Sequence, residues 1–259
     1  MRNILQNWAF VQNSIAKAPL IELFLDFDGT ITPIESTPDK VFLPADVRKI
    51  LISLHETGKC RVSIISGRSL SDVLQMVNIE GLYYAGNHGF EIAGPHLKFE
   101  YKLTKEQKES LQKLLINLQE SLGDISGVLI EDKRYSLSIH YRLVNPLKAE
   151  YVRKVVKELA NNYPSVKLTE GKMVLELRHK AEWNKGDAVA TIRESFRTKG
   201  LPIYVGDDKT DEDAFQRLSE GITIRVGRSK ASVAKYYANN NMQVHAILNR
   251  IYGILTKGQ

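Results

Sequence analysis

The chain has a single cysteine, Cys60, so no disulfide framework can form within it and the fold must rest on its own core. Apolar residues nowhere run long enough to span a bilayer, and Asn7, Gln12, Asn13 and Lys17 interrupt them near the start. Neither a membrane span nor a secretory leader is expected, and with one thiol the chain reads as cytoplasmic. It also lacks any long stretch of Pro, Gly and Ser, any internal repeat and any block of like charge. The net charge of +6 is spread along the chain without interleaved aromatics, which argues against a nucleic-acid footprint and suits a small anionic molecule equally well. What is present is 43% hydrophobic and 25% charged, over 259 residues: an ordinary globular composition, long enough for one large domain or a core with a second lobe inserted.

Short apolar runs at Leu20 to Leu25, Arg61 to Ile65, Leu82 to Ala85, Ile203 to Val205 and Ile222 to Val226 end in Gly- or Asp-rich loops, as buried parallel strands do. Helical patterns lie between and after them, at Pro44 to Thr57, Ser69 to Val77, Lys185 to Phe196, Asp211 to Leu218 and Met242 to Leu255. The expected class is α/β, a doubly wound parallel sheet. Between about 91 and 180 the grammar changes: helices at Lys105 to Leu122 and Pro146 to Asn161 alternate with strands at Val128 to Asp132, Tyr135 to Arg142, Val166 to Thr169 and Lys172 to Arg178. The chain is therefore expected to form a core from residues 1–90 and 181–259 with an inserted α/β lobe at 91–180.

Four places carry chemistry. Leu25-Asp26-Phe27-Asp28-Gly29-Thr30 sets two carboxylates at the carboxyl edge of a parallel strand, where α/β sheets bind ligands. Ile64-Ile65-Ser66-Gly67-Arg68 ends a strand in a hydroxyl donor and a glycine that lets the main chain come close to a ligand. Asn184-Lys185-Gly186 opens a helix with a cation. Gly206-Asp207-Asp208-Lys209-Thr210-Asp211-Glu212 places four carboxylates within six positions after a buried strand, a donor set suited to a hard cation such as Mg²⁺. Taken singly, each has a plainer reading as a turn, a helix cap, a solvated lysine or an acidic first turn.

Together and in this order, the four pieces resemble the haloacid dehalogenase superfamily of phosphohydrolases. That resemblance implies a nucleophilic Asp26 and an acid–base Asp28. It implies Mg²⁺ held by Asp26, the Asp28 main-chain carbonyl and Asp207, ordered by Asp208 or Asp211, with Thr30 also behind the direct contacts. Ser66, Gly67 and Lys185 would bind the phosphoryl oxygens. The insertion between Ser66 and Lys185 resembles the subgroup with an α/β cap over the site. The closer resemblance is to the trehalose-6-phosphate phosphatase family, through the motifs above and Gly86-Asn87-His88-Gly89, Ser138-Ile139-His140-Tyr141-Arg142 and Glu176-Leu177-Arg178. It implies a phosphorylated disaccharide as substrate and binding roles for Arg68, Asn87 and His88. The family often has tyrosine where Phe27 stands and proline where His179 stands. No glycosyltransferase domain accompanies the motifs, so hydrolysis rather than synthesis of the substrate is expected.

The inserted lobe can also be read by its alternation. Leu137, Ile139 and Tyr141 point one way, and Ser136, Ser138, His140 and Arg142 the other; Glu176 and Arg178 share a face, as do Glu131 and Lys133. A solvated antiparallel sheet resting on two helices satisfies this pattern. So does a sugar-reading surface built from Glu131, Lys133, His140, Arg142, Glu176 and Arg178. Another capped sugar phosphatase acting on sucrose phosphate or mannosyl-3-phosphoglycerate, a phosphosugar mutase, and a silent phosphatase-like binding or regulatory module all remain open at this point.

Overall fold

In the computed structural model, which describes residues 1–35 and 37–257, the chain gathers into two compact units. The first holds Met1–Ile34, Val41–Glu100 and residues 183–257; the second holds Tyr101–Glu182 with Glu35 and residues 37–40. The opening stretch carries β1 (Arg2–Asn3), α1 (Trp8–Lys17), β2 (Ile21–Asp26), α2 (Ala45–Glu56), β3 (Cys60–Ile65), α3 (Leu70–Val77), β4 (Tyr83–Gly86), β5 (Glu91–Gly94) and β6 (Leu97–Glu100). The second unit follows with α4 (Lys105–Leu122), β7 (Leu129–Asp132), β8 (Ser136–His140), α5 (Pro146–Asn161), β9 (Val166–Gly171) and β10 (Val174–His179). The chain returns to the first unit through α6 (Lys185–Glu194), β11 (Leu201–Gly206), α7 (Glu212–Arg217), β12 (Ile222–Val226), β13 (Tyr236–Ala238) and α8 (Asn241–Thr256).

The first unit is built on a nine-stranded sheet ordered β1-β13-β12-β11-β2-β3-β4-β5-β6, parallel from β1 through β4 and antiparallel from β4 to β6. Alternation along the central strands feeds two separate cores. Ile21, Leu23 and Leu25 pack with Val11 of α1, Leu51 of α2 and Leu248 of α8 on one face. Phe24, Ile65 and Tyr204 pack with Val189 and Ile192 of α6 and Phe215 of α7 on the other. Helices on both faces are what a doubly wound sheet requires, and they explain why β2 is buried at every position. The buried Glu22 carboxylate in β2 is satisfied by Arg193 Nε at 2.6 Å and Gly200 N at 2.7 Å. Sheet order reverses at β2, whose neighbours are β3 and β11, so its carboxyl end lies at the switch point where such sheets bind ligands.

Residues 91–100, read in the sequence as the start of the insertion, form the β5–β6 hairpin and extend this sheet. Tyr84, Ala85 and Gly86 pair with Ala93, Ile92 and Glu91, and buried Ile92 anchors the hairpin in the second core, so the second unit begins at Tyr101. The strands β1 and β13 are too short to show a period, and α1 buries only Val11 and Ile15, which is why none of the three was anticipated.

The second unit is a four-stranded antiparallel sheet ordered β7-β8-β10-β9, with α4 and α5 packed on it. Leu137, Ile139, Leu175 and Leu177 are buried, as are Leu111, Leu114, Leu118 and Leu122 of α4 and Val152 and Val156 of α5. Thr104 and Gln107 close a reciprocal cap at the start of α4, and Asn145 followed by Pro146 starts α5. Strand β8 stops at His140, short of the expected Arg142, because Val144 N bonds Tyr141 O and turns the chain. Among the described residues no helix is long and apolar enough to cross a membrane.

Candidate active site

The site grows from the turn after β2. The Phe27 carbonyl accepts from Ile31 N at 3.2 Å, Thr32 N at 3.1 Å and Thr32 Oγ1 at 2.9 Å, winding Phe27 to Thr32 into a tight loop. Gly29 makes this possible: its φ is +80°, and a Cβ there would collide with the Asp207 carboxylate. Asp26 is therefore buried at the strand's end, 4% exposed, while the Asp28 side chain two residues on stays 38% exposed.

Asp26 Oδ2 accepts from Thr30 Oγ1 at 2.9 Å, and Oδ1 accepts from Lys185 Nζ at 2.7 Å. Lys185 is the first residue of α6, placed there by Asn184, whose side chain caps Gly186 N and Asp187 N. Its ammonium also donates to Asp211 Oδ1 at 2.7 Å. Asp211 is fully buried and takes two more bonds, from Tyr204 OH at 2.8 Å and Asp208 N at 2.9 Å. Carboxylate oxygens of Asp26, Asp207 and Asp211 lie within 4.8 Å of one another.

Electrostatics follow from this crowding. Burial pushes the Asp26 carboxyl well above its ordinary range; Lys185 opposes the shift, and Asp211 and Asp207 add to it. For Lys185, burial would lower the value, but the Asp211 and Asp26 carboxylates outweigh it and hold the ammonium well above the usual lysine range. Burial, with the Asp211 charge, likewise keeps the Tyr204 hydroxyl protonated, so it donates to Asp211. Two of the three clustered carboxylates bond the same ammonium, and an oxygen-rich cluster of this kind fits a hard divalent cation.

The Ser66 loop follows β3, the strand beside β2. Ser66 is buried, its Oγ accepts from Arg68 N at 3.0 Å, and a Cβ on Gly67 would lie 2.8 Å from the His88 ring. Arg68 turns its guanidinium to Asp28 in a two-pronged pair, Nε to Oδ2 at 2.8 Å and Nη2 to Oδ1 at 2.7 Å.

Of the two aspartates expected to order the metal, Asp208 is exposed and turns its carboxylate to Lys209 N at 2.5 Å, while Asp211 is buried in the acidic cluster. Asn87 and His88, expected to touch substrate, are 2% and 7% exposed and hold the Ser66 loop through their main chain. In the second unit, Glu131, Ser138 and Glu176 pair across β7, β8 and β10. Glu131 Oε2 meets His140 Nε2 at 3.1 Å and Lys133 Nζ at 3.7 Å, Ser136 Oγ donates to Glu176 Oε1 at 2.9 Å, and Arg178 lies opposite Ser136. Arg142 is not in this group: it lies past the end of β8 and donates to Lys172 O at 2.7 Å. Tyr204 was missed because a tyrosine in Ile203-Tyr204-Val205 reads as one more buried strand residue.

A doubly wound parallel sheet with an acidic cluster beside the switch strand is also the architecture of known haloacid dehalogenase-like hydrolases. A haloacid dehalogenase-like hydrolase from Bacteroides thetaiotaomicron shares the fold, at a TM-score of 0.65 and 18% identity over 90% of this chain and 99% of that one. The chain belongs to the trehalose-phosphatase family, whose model matches residues 24–244. Trehalose-phosphate phosphatase B of Arabidopsis thaliana is 33% identical over 253 residues, covering 91% of this chain and 67% of that protein. The C-terminal domain of C. albicans trehalose-6-phosphate phosphatase superposes with a TM-score of 0.82, at 24% identity over 95% of this chain and 97% of the other. The chain spans about two thirds of the length of the curated relatives it matches.

Proposed function

We propose that the chain hydrolyses trehalose 6-phosphate to trehalose and phosphate, with a phosphoryl group carried transiently on Asp26. The observation that carries this reading is the buried Asp26–Lys185–Asp211 chain of charge beside Asp207, in a member of the trehalose-phosphatase family. Asp26, Asp207 and the Asp28 main-chain carbonyl would hold Mg²⁺. When bound, the metal supplies the positive charge that lets a carboxylate approach a phosphate ester. Asp211 already accepts three bonds and serves instead to hold Lys185.

Asp26 attacks phosphorus and the bond to the sugar oxygen breaks, with Asp28 donating the proton that the leaving oxygen needs. Asp28 then takes a proton from water, whose oxygen attacks the same phosphorus and frees Asp26. A protonated Asp28 has lost its charge and part of its acceptor capacity while a guanidinium only donates, so the two-pronged pair with Arg68 weakens for this step. Lys185 Nζ has three protons and uses two on Asp26 and Asp211, leaving the third for a phosphoryl oxygen alongside Ser66 Oγ. The polar row of Glu131, Lys133, His140, Glu176 and Arg178 would bind sugar hydroxyls and select the disaccharide. A cytoplasmic setting is part of the proposal, supported by the one buried free thiol, Cys60.

The test is phosphate release across a panel of sugar phosphates with and without Mg²⁺. Trehalose 6-phosphate should lead the panel and chelation should stop it. Preference for sucrose phosphate or mannosyl-3-phosphoglycerate would overturn the substrate, and full turnover in metal-free chelator would overturn the mechanism.

A further inference from the structure

The Ser66 loop and Lys185 come from elements far apart in the chain, yet both lean on the same three residues. Asn87 N donates to Arg68 O at 2.6 Å and His88 N to Ser66 O at 2.9 Å, so this short turn grips the loop through its main chain on either side of Gly67. The His88 ring fills the space beside Gly67 that a side chain would need. On its other flank, Gly89 O accepts from Trp183 Nε1 at 2.8 Å, and a Cβ on Gly89 would collide with Ala188 of α6. Trp183 directly precedes Asn184, the cap that makes Lys185 the first residue of α6. The turn is costly to hold: Asn87 and His88 have φ of 50° and 57°, a left-handed backbone that side-chain-bearing residues disfavour, and Gly89 follows at 98°. Such a conformation persists where its surroundings fix it, and the indole N–H is one of the groups that does so.

We propose that Trp183 is a positioning residue for phosphoryl transfer: by holding Gly89 it fixes the Asn87–Gly89 turn, and through it the spacing between Ser66 and Lys185. This rests on the reading that those two residues bind the phosphoryl group. Phe99 supplies an internal control, because its ring stacks on Trp183 at 4.6 Å with planes 16° apart and makes a purely packing contact. Trp183→Phe retains an aromatic ring beside Phe99 and deletes the bond to Gly89. Phe99→Leu deletes the stack and keeps the bond.

In the whole chain with Mg²⁺, Trp183→Phe should raise the inhibition constant of inorganic phosphate and lower kcat/KM for p-nitrophenyl phosphate by about three- to tenfold, the loss expected of one hydrogen bond. Phe99→Leu should leave both within about twofold even where it lowers Tm as much or more. Losses of Tm in both variants with phosphate affinity unchanged would make Trp183 a structural residue and overturn the proposal. A second measurement does not depend on that variant folding. The chain has two tryptophans, so Trp8→Phe leaves Trp183 as the sole indole, and its emission should shift when phosphate is added. Unchanged emission at saturating phosphate overturns the proposal. A wild-type chain that neither binds phosphate nor hydrolyses any ester overturns the reading of the active site with it. An active wild type with an unaltered Trp183→Phe variant overturns this inference alone.

Discussion

Replacing Lys185 with methionine tests the charge arrangement at the centre of the site. The ammonium is 2% exposed and lies 2.7 Å from each of two carboxylates that are themselves 6% and 0% exposed. Methionine keeps most of the volume and removes the charge, so Asp26 and Asp211 lose their shared ammonium in a cluster whose carboxylate oxygens, with that of Asp207, lie within 4.8 Å of one another. Removing one partner of a buried pair costs about 3–5 kcal/mol, because the stranded charge stays desolvated. At about 2–4 °C per kcal/mol for a chain of this size, metal-free Lys185→Met should melt about 6–20 °C below wild type. Adding Asp211→Asn removes one stranded charge and should recover part of the loss, and Mg²⁺ should raise Tm more in the single variant than in wild type. The contribution of Lys185 is complete below the ordinary lysine value of 10.5 and is lost only as pH climbs through its higher value in the fold. Melting followed by circular dichroism in chelator, then in Mg²⁺, makes the comparison. A Lys185→Met chain as stable as wild type in chelator would refute the reasoning.

Gly29→Ala puts a Cβ at φ +80° against the Asp207 carboxylate, so the Mg²⁺ concentration giving half-maximal activity should rise about tenfold; an unchanged metal dependence would remove Asp207 from the metal set. Glu176→Ala and, separately, Arg178→Ala should lower kcat/KM for trehalose 6-phosphate by at least about tenfold, while p-nitrophenyl phosphate, which has no sugar to contact, loses much less. Equal losses on both substrates would place these residues in the fold or the chemistry rather than in sugar recognition. Burial pushes the Cys60 thiol up to about 12, so it should resist thiol reagents at pH 8 until the chain is unfolded. Because the folded value is raised, the stability linked to this thiol is full below 9.0 and declines as pH rises towards about 12. Rapid labelling of the native chain would contradict its placement.

Much of this was legible before any coordinates. Leu20 to Leu25 reads as a buried parallel strand because helices cover both sheet faces, and the structure places β2 at the centre of the sheet with Asp26 at its end. Helices α4 and α5 have the bounds their periodicity predicts, since a reciprocal cap marks the start of α4 and an Asn cap with a first-turn proline that of α5. The hairpin at 91–100 was not legible, because a strand pair attached to an existing sheet and one opening a new lobe share the same alternation. At the site, local spacing sets Asp26 at the end of a strand and Asp28 in the turn beyond it. It could not show that Asp211 rather than Asp208 turns inward. That choice depends on Lys185 and Tyr204, which meet Asp211 only once α6 and β11 are packed. Nor could it reveal the clasp of Arg68 on Asp28, which joins two loops on neighbouring strands.

The claim on which the account turns is that Asp26 itself carries the phosphoryl group. Mixing the enzyme with trehalose 6-phosphate and Mg²⁺, quenching in acid within a single turnover and mapping peptides by mass spectrometry tests it most directly. An acid-stable, base-labile phosphoryl group is expected on the peptide containing Asp26, absent from Asp26→Asn, which should be folded and inactive. Single-turnover phosphate release with no phosphorylated Asp26 at any quench time, together with activity retained in Asp26→Asn, would contradict it.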